Sequence, residues 1–126
     1  MSLQRNNYPF LGEPVGPYVH SVKHGCTLYV SGITAFGTDA QSGSIENQAK
    51  KIFEHLHEIS IAEGSSLDNI IKITAFVTDL NRMNELRQTL FEIYGKNLPA
   101  SSLIHVAGLF DDDLKIEIEA IIALQG

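Results

Sequence analysis

Hydrophobic and polar positions alternate in two rhythms along this chain. From Leu114 to Ala120 the period is two: Leu114, Ile116, Ile118 and Ala120 fall on one face, and Lys115, Glu117 and Glu119 on the other. That pattern predicts a β-strand with one buried face. Leu98–Val106 reads as a strand opening after Pro99, and the acidic stretch from Gly108 to Asp113 reads as the turn between the two. A C-terminal hairpin over 98–124 is therefore expected. Thr27–Thr34 is rich in β-formers, and Tyr18–Lys23 precedes it across the turn His24-Gly25-Cys26, which predicts a first hairpin. Ile71–Thr78 is apolar enough for a central strand.

The second rhythm is helical. Ala49, Ile52, Phe53, Leu56 and Ile59 recur at helical spacing between a capping Ser44 and a terminating Gly64. A shorter helix carries Met83, Leu86, Leu90, Phe91 and Tyr94, with Asp79 or Asn81 as its cap and Gly95 as its stop. Residues 1–15, with Pro9, Gly12 and Pro14, read as an irregular arm. The order ββαβαββ predicts one α+β domain over 1–126. It would have two layers, a mainly antiparallel sheet with both helices on one face. The uncovered sheet face mixes charged and apolar residues, so a homo-oligomer with sites at subunit junctions is expected.

Charge and composition narrow the function. The formal net charge is −6, and the nine Lys and Arg residues are scattered, which argues against nucleic acid as main partner. No apolar run is long enough for a membrane span, and the N-terminal residues show no apolar signal region, so a cytoplasmic protein is expected. The single cysteine, Cys26, excludes an internal disulfide and is expected as a small buried residue. The histidines show no metal-ligand spacing. Glu117 and Glu119 would project from one strand face about 7 Å apart, as an acid/base pair or a solvated polar face. Ser101 and Ser102 have no histidine base nearby in any recognisable arrangement.

Several segments together resemble the Rid family of reactive-intermediate deaminases, the YjgF-like or L-PSP proteins. They are Gly16-Pro17-Tyr18, Ser31-Gly32, Gly64 to Lys72, Phe76 to Leu80, Leu98-Pro99-Ala100-x-Ser102 and Lys115 to Ile121. The resemblance implies a chorismate-mutase-like fold, a homotrimer with clefts between subunits, and hydrolysis of small imines or enamines to keto compounds and ammonia. It implies no cofactor or metal. The family site maps onto Tyr18, Ser31, Gly32 and Glu117, with Glu117 positioning water. The substrate-gripping arginine of deaminating members falls on Ser101, and the usual cysteine on Leu103. A serine cannot reproduce the two-pronged match of guanidinium to carboxylate. Arg87, on the stripe Met83, Arg87, Leu90 and Tyr94, is either a snorkelling side chain or the replacement cation. The implied ligand is a small keto- or imino-acid-like molecule. The alternatives are a ribonuclease of the L-PSP type and a non-catalytic, ligand-binding regulatory trimer.

Overall fold

The computed structural model describes residues 2–125. Met1 and Gly126, the two ends of the expected 1–126 domain, lie outside the described residues. Eight elements follow in order: β1 (Leu3–Asn6), β2 (Ser21–His24), β3 (Thr27–Ile33), α1 (Ile45–Ala62), β4 (Ile70–Val77), α2 (Met83–Tyr94), β5 (Ala100–His105) and β6 (Ile116–Ala123). The strands form one six-stranded sheet in the order β1-β2-β3-β6-β4-β5. Every pairing is antiparallel except β4 with β5.

α1 begins where Ser44 Oγ accepts a hydrogen bond from the Asn47 amide, at 3.2 Å, with Glu46 in the first turn. It ends before Gly64, whose φ of +74° suits a residue without a Cβ. Its buried face carries Ile45, Ala49, Ile52, Phe53, Leu56 and Ile59. These pack against Ile116, Ile118, Ala120 and Ile122 of β6, the alternating strand. Leu86 of α2 joins the same core, with Met83, Leu90, Ile93 and Tyr94 at its edge. Both helices thus cover one face of the sheet.

The expected C-terminal hairpin does not form. β5 and β6 are separated by β4: β5 runs parallel to β4, with Ile73 opposite Ser101, and β6 lies antiparallel between β3 and β4. Residues 106–115 make a connection far longer than the two to five residues of a hairpin loop. α2 instead supplies the crossover that a parallel β4–β5 pair needs. Burial explains the order: β6 buries every second side chain and sits in the middle, whereas β5 is exposed at every position and forms an edge.

Three further expectations change. The N-terminal arm is not wholly irregular, since Leu3–Asn6 pairs with β2 through backbone bonds and Tyr8 is buried. Cys26 is exposed, because it stands in the turn between β2 and β3. Neither Asp79 nor Asn81 caps α2. Arg82 is at the cap position without a side-chain bond, and Asp79 Oδ1 accepts from the Asn81 amide in a turn ahead of the helix.

Candidate functional site

Ser31 and Gly32 sit at a β-bulge. Val30 pairs with Ala120 and Ile33 with Ile118, so β3 carries one extra residue between those pairs. The Ser31 amide donates to His20 O at 3.0 Å, and its hydroxyl donates to Val19 O at 2.7 Å. These two bonds tie the chain ahead of β2 to the bulge. Gly32 lies directly beneath Glu117: a Cβ on residue 32 would stand 2.2 Å from the Glu117 carboxylate. The carboxyl group of Glu117 therefore occupies the space left by a missing side chain.

A cavity of about 350 Å³ opens over this point. Tyr18, Ser31, Gly32 and Glu117 line it, so four of the six candidate positions come together. Burial raises the Glu117 carboxyl above the ordinary value of 4.5, and the Glu119 charge adds to the shift. The Tyr18 hydroxyl accepts a long bond, 3.4 Å, from the Val15 amide.

Several lining groups were not singled out from the sequence. His20 is buried, and its Nδ1 accepts the Tyr8 amide at 2.9 Å. An acceptor at Nδ1 places the proton of the neutral ring on Nε2. Burial also lowers its affinity for a second proton. His55, from α1, is likewise shifted down by burial. Leu11, Glu13 and Val15 of the arm line the cavity, as do Phe36 and Phe110. Those two rings meet edge to face, centroids 4.9 Å apart. A single aromatic residue in each of the two loops, Phe36 after β3 and Phe110 ahead of β6, is the one sequence signal that marks them.

Gln48 aligns those loops. Its fully buried amide donates to Gln41 O at 2.8 Å and Asp113 O at 2.9 Å, and its carbonyl accepts from the Lys115 amide at 2.9 Å. Gln41 belongs to the loop after β3 and Asp113 to the loop before β6. A second tether holds the arm: the Tyr8 hydroxyl donates to Glu63 Oε2 at 2.8 Å and lies 2.7 Å from Ser21 Oγ, while Lys23 pairs with Glu63 at 2.9 Å. Burial raises the Tyr8 hydroxyl well above its usual range.

The sequence profile of the family described as endoribonuclease L-PSP matches residues 11–124. This chain belongs to that family, the Rid or YjgF-like proteins. The chain is 32% identical to RutC family protein PH0854 of Pyrococcus horikoshii over 112 residues, which span 86% of this chain and 88% of the relative. It is 26% identical over 120 residues to the 2-iminobutanoate/2-iminopropanoate deaminase of Dermatophagoides farinae, covering 93% of each. The crystal structure of yeast Mmf1 superposes with a TM-score of 0.86 at 27% identity, covering 98% of this chain and all of that one.

Within this Rid-family chain, Ser101 and Arg87 stand outside the cavity. Ser101 is exposed on the edge strand β5, and Arg87 is exposed on α2. Among the described residues of one copy, no lysine or arginine lines the cavity. No group of three His, Cys, Asp or Glu side chains among them is arranged to hold a metal ion.

Proposed function

We propose that the cleft over Gly32 hydrolyses a small imine or enamine, with Glu117 as the group that handles water. The observation that carries this reading is the half-buried Glu117 carboxyl, seated on a glycine and facing a cavity. Its raised affinity for protons suits a group that takes one from water and returns it to a leaving amine. Water adds its oxygen to the imine carbon as the C=N bond becomes single. The C–N bond then breaks, and a carbonyl compound and ammonia leave. The neutral His20 ring, which also lines the cavity, carries its proton on Nε2 and is available as a donor. The deaminase name of the Dermatophagoides farinae relative supports the same chemistry.

The working assembly in this reading is the homotrimer of the family, with clefts completed at subunit junctions. Support comes from the edge strand β5, exposed at every position with Leu103 and Ile104 each at 43%, and from Tyr29 and Ile71 at 47%. A ribonuclease reading gains nothing from a cavity that no lysine or arginine lines among the described residues of one copy, in a chain of net charge −6.

The test is ammonia release from freshly generated imines, with the spontaneous rate in buffer subtracted. Acceleration well above buffer at micromolar protein is expected. A rate equal to buffer across a panel of imines contradicts the reading.

A further inference from the structure

Taking the cleft as an imine site, we propose that His20 donates its Nε2–H to the oxygen that water adds to the imine carbon, and that the N-terminal arm sets this donor through the Tyr8 amide. The inference rests on the hydrolytic reading above. It adds a second catalytic residue, with the arm as the element that positions it.

Three observations carry it. The first is a reciprocal clasp between the arm and the residue ahead of β2. The Tyr8 amide donates to His20 Nδ1 at 2.9 Å, and the His20 amide donates to Asn7 Oδ1 at 3.0 Å. A ring nitrogen that accepts carries no proton, so the proton of the neutral ring sits on Nε2. Burial favours the neutral ring, against a smaller pull from the Glu13 charge. Both bonds lie within one chain, so completion of the cleft by a neighbouring copy leaves them in place. The second observation is where the donor opens. His20 is only 7% exposed, yet it lines the cavity together with Glu117. Among the described residues of one copy its Nε2 meets no acceptor, and the atom is not sealed from solvent. The cavity is the space it opens to.

The third observation ties the donor to the group that handles water. His20 O accepts the Ser31 amide at 3.0 Å, and Ser31 precedes Gly32, whose missing Cβ seats the Glu117 carboxyl. The bulge thus joins the backbone of the donor to the seat of the carboxyl. The two groups divide the reaction. Glu117 takes a proton from water as the water oxygen bonds to the imine carbon. The C=N electron pair moves to nitrogen, which receives that proton. Glu117 then carries the hydroxyl proton to nitrogen, the C–N bond breaks, and its pair leaves with ammonia. Oxygen is a hydrogen-bond acceptor from attack to carbonyl release, whereas nitrogen gives its lone pair to a proton before it leaves. A fixed neutral donor is therefore matched to the oxygen, and it transfers no proton of its own.

Long-range proton–nitrogen NMR spectra of the labelled full chain read the tautomer directly, with His20→Gln identifying the signal. The ring should be neutral at neutral pH with its proton on Nε2. Tyr8→Ala removes the buried anchor of the arm, so the form with its proton on Nδ1 should appear and kcat for imine hydrolysis should fall more than KM changes. A charged ring, a proton on Nδ1 in the wild type, or an unchanged tautomer in folded Tyr8→Ala overturns the proposal. His20→Leu should lose about 10²-fold in kcat with little change in KM. In His20→Gln the side-chain oxygen can accept from the Tyr8 amide while the nitrogen donates, so the loss should be only a few-fold. A Gln variant as slow as the Leu variant overturns the donor role. Turnover separates the two readings. A folded wild type that leaves imines at their rate in buffer defeats the hydrolase, whereas an active wild type matched by His20→Leu defeats the donor and keeps the hydrolase.

Discussion

The carboxylate of Glu117 fills the volume that a side chain at Gly32 would need, since a Cβ there would lie 2.2 Å from its oxygen and 2.8 Å from its Cδ. The two residues lie on neighbouring strands, and the bulge in β3 brings them into register. The glycine is needed for space, and the space is taken by a carboxyl group whose proton affinity burial raises.

Gly32→Ala therefore separates position from fold. The crowded atoms are the far end of a flexible side chain, so the carboxyl swings aside at a stability cost under about 1 kcal/mol. A displacement near 1 Å at a reacting group costs about 10²-fold in rate. Denaturant unfolding and imine turnover measured on one preparation check both numbers. Unchanged turnover in the folded variant would show that the carboxyl does not need this seat.

Gln48→Leu removes the amide that joins two loops. It leaves the Lys115 amide and the Asp113 and Gln41 carbonyls without their partner. Buried unsatisfied groups of this kind put the loss at about 3 kcal/mol. The loops bearing Phe36 and Phe110 should loosen as well, so KM for an imine should rise more than kcat falls. Chemical denaturation and steady-state kinetics read the two effects separately.

The folded Glu117 carboxyl binds its proton more tightly than the ordinary 4.5. From pH 4.5 up to its folded value the folded state holds more protons than the unfolded one, so this group lowers stability as pH rises. Glu117→Gln should accordingly be more stable than the wild type at pH 7, with the advantage vanishing below about pH 4. Urea titrations at several pH values follow that difference, and an advantage that grows on acidification would have the wrong sign.

Glu46 should behave in the opposite way. Hydrogen bonding to the Arg82 guanidinium holds its carboxyl down from 4.5 to about 2. The pair links the first turn of α1 to the residue before α2. Its contribution is complete above pH 4.5 and disappears as the pH falls through about 2. Glu46→Gln should destabilise at pH 7 and be neutral near pH 2, as judged by the same titrations.

Much of this was legible in the chain itself. The Ser44 cap, the apolar stripe and Gly64 locate α1 to within a residue, because each acts locally. The alternation of β6 correctly marks its buried face. Alternation says nothing about which strand lies alongside, and that is where the hairpin expectation failed: β4 and β5 pair through a helix that the local pattern treats as a separate element. The strand Leu3–Asn6 was hidden because it pairs through its backbone and buries little. Tyr18, Ser31, Gly32 and Glu117 were found through a family pattern, and the structure gathers them at one cavity. Phe36, Phe110, His20 and His55 were missed, since only long-range bonds from Gln48 and Tyr8 bring order to that part of the cavity. Arg87 shares a stripe with core residues yet lies exposed.

The most direct test of the account is the pH dependence of kcat/KM for imine hydrolysis in the wild type and in Glu117→Gln. The wild type should accelerate ammonia release and show an ionisation above pH 4.5 that belongs to Glu117. The variant, folded and more stable at neutral pH, should lose about 10²-fold or more and lose that ionisation with it. A variant within threefold of the wild type, with the same profile, would contradict the claim that Glu117 handles the water.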